Sequence, residues 1–581
     1  MSRSQKNHLL PRWTAGLTAR PVALSMEAVI LAFLIAFLVV PVLLAIGRGF
    51  LEGGRFSLYW FATTMTDRVV VRQMTNSVLL ATLTTAASMV IALPPALLRA
   101  RCSFRGQGVL GMLLLVPMIL PPFVGAISMR RLFSQFGAVN LLLEHVGILD
   151  LAAHRPPDWL GGGLAGVVLM QALHLFPILY LNASAALANV DPAYAQAARN
   201  LGAGPWQTFR RVTLPLMRPG LFAGGTIVFI WSLTDVGTPL ILGYQDLVPV
   251  TIFKELAKSD TSPGIYSLVF VMLSASVTLY VLGKFLFGRS AAADSAKASI
   301  ASELRKLGPA GTLLAWLLFG SIIGLALLPH VGVALTAFSA RWVNTVVPSE
   351  WTLRHLWFVF ERAQTVHSIL NSLRYAGVST AVDVAVGAAA AWLIVRTRVK
   401  GAGLLDGLTM LPLAVPGLIL AAGYVAMTAT GALKGIGPRG NPFLILVIAY
   451  SVRRLPFVVR GVSAGLQQIP VSLEEAARNL GASKPRAMLG VTAPLIAANI
   501  VAAGALTFAF AVLEVSDSLI LAQRPSYYPI TKEIYTQATS GNPDAANIAA
   551  ALGVLGMVLL GGTLATASAL LGRRLGAIFR A

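Results

Sequence analysis

The sequence predicts an all-α integral membrane protein with about twelve transmembrane helices in two parallel, pseudo-symmetric six-helix halves. Three observations carry that prediction. Of the 581 residues 56% are hydrophobic and only 12% charged, with a mean hydropathy of +0.74, whereas soluble globular chains carry about 25% charged residues. Apolar stretches of the length a bilayer core demands, about 20 residues, recur along the whole chain. The same Pro, Asn and Gly markers also appear twice in one register.

Composition narrows the function classes. The single cysteine, Cys102, excludes an internal disulfide framework or a Cys-ligated cluster within the chain. The net charge of +22 is spread in short runs between apolar stretches, a topology signal of a membrane protein and not the basic face of a nucleic-acid binder. The expected surroundings are therefore a lipid bilayer, with no nucleic acid.

Spans are expected near 27–47, 76–98, 108–128, 160–183, 213–242, 266–287, 313–338, 370–395, 403–427, 443–463, 494–521 and 546–571. The fifth and eleventh exceed what a bilayer requires, so part of each should lie outside it. A basic leader (Arg3, Lys6, Arg12, Arg20) precedes the first stretch as in a signal peptide. That stretch ends in Ile46-Gly47-Arg48 without a small-x-small cleavage pattern, so an uncleaved span is expected. Arg99, Arg101 and Arg105 cluster in one loop, and Arg396, Arg398 and Lys400 in its counterpart. The opposite loops mix signs, as with Asp246, Lys254, Glu255, Lys258 and Asp260. The basic bias places both termini in the cytoplasm.

The internal repeat is explicit. Asn76-Ser77 returns as Asn371-Ser372, and Pro117 and Pro121 return as Pro412 and Pro416, all at an offset of 295. Farther on, Phe176-Pro177 aligns with Leu455-Pro456, the run Ala197 to Gly202 with Ala476 to Gly481, Pro215 with Pro494, and Asp235 with Glu514. That second offset is 279, so one net length difference of 16 residues reconciles the two. Halves with an even number of spans share one orientation, related by an axis along the membrane normal. The expected organisation is a tail at 1–25, a first half at 26–288, a cytoplasmic linker at 289–312 and a second half at 313–581, with a transport path between the halves.

Each half carries a distinctive loop between its fourth and fifth spans: DPAYAQAARNLGAGPWQTFRRVTLPL and PVSLEEAARNLGASKPRAMLGVTAPL. Both read as a short helix, a glycine stop and a segment re-entering the membrane. Asp191 can cap the first helix, with Pro192 at its opening position. Ser472 and Glu475 have capping-box spacing. Gly202 and Gly481 suit a left-handed terminating residue. On physical grounds alone, so alanine-rich a helix serves equally to receive a close-packed partner or to pack on its own bundle.

The pattern EAA, three residues, Gly, nine residues, then I-x-L-P resembles the signature loop of the permease subunits of ATP-binding-cassette importers. It occurs here as Gln196-Ala197-Ala198, Gly202 and Val212 to Pro215, and again as Glu475-Ala476-Ala477, Gly481 and Val491 to Pro494. The resemblance covers both halves. It implies a bacterial inner-membrane, multi-pass permease of the type I importer class, docked on two cytoplasmic ATP-binding-cassette ATPase subunits and served by an extracytoplasmic solute-binding protein. By position, Gln196, Ala197, Ala198, Arg199 and Gly202, with Glu475, Ala476, Ala477, Arg478 and Gly481, would make the ATPase contact. Two positions depart from the pattern: Gln196 replaces the usual glutamate, and Ala493 the leucine before the proline.

No G-x-x-x-x-G-K-[ST] phosphate loop occurs; the only Gly-Lys pair, Gly283-Lys284, continues into Phe285. The seven histidines are scattered, with no H-E-x-x-H pair. The expectation is a non-catalytic subunit with no cofactor or metal of its own, its ATP hydrolysis supplied by a partner.

Intramembrane charges are costly and mark candidate path residues. Asp235 and Glu514 are aligned late in the fifth and eleventh spans, with Asp517 one turn beyond. They read either as pathway carboxylates at the outer mouth or as helix-end anchors. His174 aligns with Arg453, next to Arg454; both fit a path lining, a salt bridge or a side chain reaching toward water. Arg374 and Asp383, nine residues apart, should pair with other spans. The repeated prolines should bend their helices and free backbone carbonyls.

A fused two-half chain with TDVGTPLILG and EVSDSLILAQ after the coupling loops is similar to the ferric-iron transport group. That resemblance implies ferric iron as solute, with thiamine, phosphonate (such as 2-aminoethylphosphonate) or sulfate as alternatives within the same machine. A gradient-driven secondary carrier is the competing class. Its acidic loop motif is missing from RARCSFRGQG, and it has no use for a duplicated coupling loop.

Overall fold

The computed structural model describes residues 20–571 except 152–154, 162, 189, 259–261, 288–304, 398 and 430. Most of the basic tail, most of the linker, Arg398, Asp260 and the C-terminal ten residues lie outside the described residues. The first half runs α1 (Pro21–Gly49), α2 (Arg68–Arg101), α3 (Gln107–Ile119), α4 (Pro122–His145), α5 (Leu164–Ala188), α6 (Pro192–Asn200), α7 (Leu214–Thr234), α8 (Gly237–Leu242), α9 (Val248–Leu256) and α10 (Gly264–Phe287). The second repeats it as α11 (Pro309–Ala337), α12 (Ala363–Arg396), α13 (Ala402–Leu413), α14 (Gly417–Thr428), α15 (Phe443–Gln468), α16 (Ser472–Asn479), α17 (Ala493–Val512), α18 (Ser516–Leu521), α19 (Ile530–Ala538) and α20 (Ala545–Leu571). Strand is confined, among the described residues, to three two-stranded pairs.

Among the described residues, nine helices are long and apolar enough to cross a membrane, or eleven if each of two bent pairs counts as one span. The twelfth expected position is α15, a 26-residue helix that carries Arg453, Arg454 and Arg460 within it. The repeated prolines make the bends, 92° between α3 and α4 and 102° between α13 and α14. Pro121 and Pro416 sit at the two corners, where a missing N–H interrupts the helical ladder. The two overlong predicted spans are each broken: α7 stops at Thr234 and α17 at Val512, and short α8 and α18 follow.

The halves are not two separate six-helix bodies. α1 packs against α14 of the second half as well as α10 of its own, and α11 packs against α4 of the first half as well as its own α20. The two exchanges are equivalent. In each, a glycine on the bent pair faces a proline within the exchanged helix. A Cβ at Gly423 would run into the backbone of Pro41, and one at Gly125 would stand 2.8 Å from Pro329 Cβ. Pro41 cannot donate to the carbonyl four residues back, Phe37 O, and Tyr424 Oη donates to that carbonyl at 2.6 Å. Ser128 Oγ donates to Pro329 O at 3.1 Å in the other exchange. One hydrophobic core consequently holds residues of both halves, Leu233 and Phe253 beside Tyr375, Leu418, Leu446 and Leu519.

Two substitutions separate these terms. Tyr424→Phe loses one hydrogen bond and should lower stability by about 0.5–1.5 kcal/mol. Gly423→Leu drives a side chain into the α1 backbone and should cost more, about 1–3 kcal/mol or above. Reversible SDS titration of the purified chain measures both, and equal losses would argue against close packing at this crossing.

Candidate functional site

The two signature loops have the same backbone. In α6, Leu201 N donates to Ala197 O at 3.1 Å, Gly202 N to Arg199 O at 2.9 Å and Ala203 N to Ala198 O at 3.0 Å. The α16 equivalents run from Leu480 to Ala476 at 3.1 Å, Gly481 to Arg478 at 3.0 Å and Ala482 to Ala477 at 3.1 Å. Gly202 and Gly481 are left-handed, with φ of 85° and 92°, a conformation that a Cβ disfavours. An added Cβ would meet nothing within 4 Å at either glycine, so backbone conformation and not crowding requires them. No residue of either helix is buried. Ala197, Ala476, Arg199 and Arg478 are exposed, with Ala198 and Ala477 half-buried. The sequence reading passed over the residue before each glycine. Leu201 and Leu480 are 88% and 90% exposed, and an apolar residue repeated inside a polar loop was the available signal.

One cap is as expected and one is corrected. Asp191 Oδ1 accepts from Ala193 N at 2.8 Å, with Pro192 opening the helix. The Ser472–Glu475 capping box does not form. Ser472 is already helical, Val471 precedes the helix, and no side chain caps it. The neighbouring carboxylate is the one engaged: Glu474 accepts from Thr492 Oγ1 at 2.8 Å and pairs with Arg396 Nε at 3.4 Å. Arg396 also donates to Leu466 O and Ile469 O, so the end of α12 is tied both to the end of α15 and, through Glu474, to α16. In the first half Arg101 donates to Thr213 Oγ1 at 2.7 Å, but Ala195 stands where Glu474 does. The loops share a fold and differ in anchorage.

Deeper in the bundle, the aligned acids occupy the breaks after α7 and α17. Asp235 Oδ1 accepts from Gly237 N at 3.1 Å, and its Oδ2 from Gln171 Nε2 at 3.0 Å. Gln171 Oε1 accepts in turn from Ser232 and Thr84. His174 Nδ1 lies 3.0 Å from Pro117 O. In the second half the same places are ionic. Glu514 takes Arg453 at 2.6 Å on one oxygen and Arg454 on the other, and Asp517 takes Arg453 at 3.2 Å. Tyr450, where the first half has Gln171, bonds Ser518 at 2.6 Å. Glu514 and Asp517 are buried, each with an arginine partner. Asp383 does not fit the pairing expected for it: buried, with no hydrogen-bond partner for either oxygen among the described residues, it sits in the field of Arg454. Arg374 is exposed. Among the described residues no three His, Cys, Asp or Glu side chains converge as a metal site.

The Asn-Ser markers, noted in the sequence only as a register, have a mechanical role. Asn76 Nδ2 donates to Asp246 O, and Ser77 Oγ accepts from Val248 N at 3.0 Å, the first residue of α9. Asn371 Nδ2 donates to Ser526 O and Tyr528 O, and Ser372 Oγ accepts from Ile530 N at 2.7 Å, the first residue of α19. Each pair pins a short helix to the long span beside it. Phe253 on α9 and Tyr535 on α19, five residues past each pinned N–H, meet edge to face at 5.9 Å and 89°.

Glu514→Gln leaves Arg454 without a carboxylate and Arg453 with Asp517 alone, and should cost about 3–5 kcal/mol. Asp235→Asn keeps an acceptor toward Gln171 and should stay within about 1.5 kcal/mol. SDS titration of the two variants decides, and a larger loss from Asp235→Asn would overturn the contrast.

The sequence matches the family described as binding-protein-dependent transport system inner membrane component twice, over residues 88–292 and 383–576. A ferric transport system permease protein of Actinobacillus pleuropneumoniae is 26% identical over 85% of this chain and 70% of its own length. A Haemophilus influenzae protein, also named for ferric transport, is 27% identical over 85% of this chain and 77% of its own length. A molybdenum transport system permease protein of Escherichia coli is 29% identical over 32% of this chain and 81% of its own length. With two copies of the family domain in one helical membrane chain, this protein belongs to the binding-protein-dependent inner membrane transport components, as a permease of the type I ATP-binding-cassette importers with both halves fused.

Proposed function

We propose that the chain carries ferric iron inward across the bacterial inner membrane. Two cytoplasmic ATP-binding-cassette ATPase subunits drive it, one seated on α6 and the other on α16, and an extracytoplasmic binding protein delivers the solute. Both termini then lie in the cytoplasm, and ATP is hydrolysed by the partner. The observation that carries this reading is the duplicated loop helix, with no buried residue in either copy, ending in a left-handed glycine behind an exposed leucine. A partner seated there would cover both leucines, and an apolar side chain gains by leaving water. Residues 1–25, 26–288, 289–312 and 313–581 make up the tail, first half, linker and second half. Ferric iron is favoured by the relatives named for ferric transport, which share the fused length of this chain.

In this reading the path runs between the halves. Asp235 and His174 stand on one wall, and Glu514, Asp517 and Arg453 on the other. With Glu514 held by two arginines, its carboxylate braces the wall more than it attracts a cation. A second solute class, molybdenum oxyanions, is supported by the similarity of one half to molybdenum permeases.

Proteoliposomes holding the chain, its ATPase and its binding protein should accumulate radiolabelled ferric ion only with ATP inside. Accumulation from an ion gradient without the ATPase would overturn the reading, and uptake of molybdate in preference to iron would replace the solute. Leu201→Asp together with Leu480→Asp should release the ATPase in a pull-down while SDS stability stays within about 0.5 kcal/mol, as for exposed positions. Glu474→Gln frees the second loop from Arg396 and should lower ATP-coupled uptake more than any change at Ala195.

A further inference from the structure

α9 and α19 hold equivalent places but differ in side chains, and one of the differences sets a lysine where the other helix is apolar. Counted from the pinned residues, Lys532 on α19 corresponds to Val250 on α9, which is buried. The Lys532 ammonium lies 5.5 Å from the Tyr535 ring centroid, 5.6 Å from Tyr528 and 5.8 Å from Phe253 of the other half. It donates to Leu519 O at 3.0 Å. Among the described residues it has no carboxylate partner, and the adjacent Glu533 is turned away toward Gln364 and Gln537. An ammonium carries three donors; one carbonyl uses one of them, and the ring faces supply the remaining stabilisation through their quadrupoles. Two of the three rings, Phe253 and Tyr535, are the pair that closes the seam between the halves.

The surrounding rim is also basic. Arg439 Nη2 donates to Lys258 O at 2.7 Å across the seam, and Arg524 Nη1 donates to Gly440 O. Both arginines are exposed, with carbonyls in place of carboxylates as acceptors. Lys254 sits beside Gln245, and of these cations only Lys258 has a carboxylate, Glu255. Charge of one sign around a narrow entrance raises the local concentration of ions of the opposite sign, and a charged side chain at the constriction sets which ions pass.

We propose that Phe253 and Tyr535 form the closed outer seal of the path and that Lys532 is its selectivity residue, which meets the solute as an anion or as a metal carried in an anionic complex. This rests on the permease reading, with α9 and α19 on the extracytoplasmic side. When the rings part, the ammonium loses its partners on Phe253 and Tyr535, and an oxyanion or carboxylate-bearing ligand replaces them with stronger charge-assisted hydrogen bonds. A free cation meets repulsion at the same place. Ferric ion then passes as a complex with net negative charge, and an oxyanion passes as it is.

The test needs no knowledge of the solute. The full chain is placed in a planar bilayer with a potassium chloride gradient, and the reversal potential is read for the unaltered chain and for Phe253→Ala with Tyr535→Ala. The unaltered chain should be sealed. The double variant should conduct, passing chloride over potassium by about tenfold. Adding Lys532→Gln should abolish that preference, and Lys532→Arg should retain it. SDS titration of each variant excludes misfolding as the source of conductance. A sealed double variant, a potassium preference, or an anion preference that survives Lys532→Gln each overturns the proposal, the last leaving Lys532 as a cap on the end of α18. Failure of the permease reading is separately visible, because the chain would then not retain its ATPase in a pull-down, whatever its conductance.

Discussion

Hydrocarbon cannot hydrogen-bond, and the rest of this structure depends on that constraint. A break in a spanning helix is tolerated only where another part of the protein receives the freed backbone groups. The chain breaks its spans at equivalent places in both halves, and several of the freed groups have a partner. The Phe37 carbonyl left by Pro41 is taken by Tyr424, and the Pro117 carbonyl faces His174. The N–H groups that open α9 and α19 are taken by Ser77 and Ser372. Asp235 and Glu514 occupy the breaks after α7 and α17 and accept backbone N–H groups of the short helices that follow. The irregular segments are therefore held by side-chain polar atoms of neighbouring spans as well as by their apolar packing.

The same constraint explains why the halves share a scaffold while differing in polar chemistry. A buried charge requires compensation, and compensation can be neutral or ionic. The first half uses a glutamine-centred network around one carboxylate, whereas the second uses two arginines against two acids. Exchange of α1 and α11 across the halves makes a single core of what began as a repeat, so each half stabilises the other's bend. The asymmetry extends to both ends of the molecule. One loop is anchored through Glu474 and Arg396 and the other lacks the acid; one short helix carries Lys532 where the other carries Val250.

Where the sequence misled, the reason was competition between neighbouring groups. Ser472 and Glu475 have the spacing of a capping box, but Glu474 has a guanidinium and a hydroxyl within reach, and a charge-assisted contact outweighs a local cap. The aligned carboxylates stayed open between pathway groups and helix-end anchors, because the alignment compares Glu514 with Asp235 and not with Arg454, its neighbour in space. Leu201 and Leu480 carried only a faint signal, their repetition inside a polar loop, because their exposure is visible only in the folded chain.

The sequence by itself determined the membrane class, the repeat and its register, the proline bends, the excess length of the fifth and eleventh spans, and the loop helices with their left-handed glycines. These follow from local rules: apolar length against bilayer thickness, a missing N–H at proline, a missing Cβ at glycine. Tertiary structure alone decided that α1 and α11 cross to the opposite half, that Asn-Ser pairs pin α9 and α19, that two arginines neutralise Glu514, and that Lys532 rests among rings from both halves. Each joins residues far apart in the chain, and side-chain pairing at that range depends on how helices pack in three dimensions, which neither period nor composition encodes.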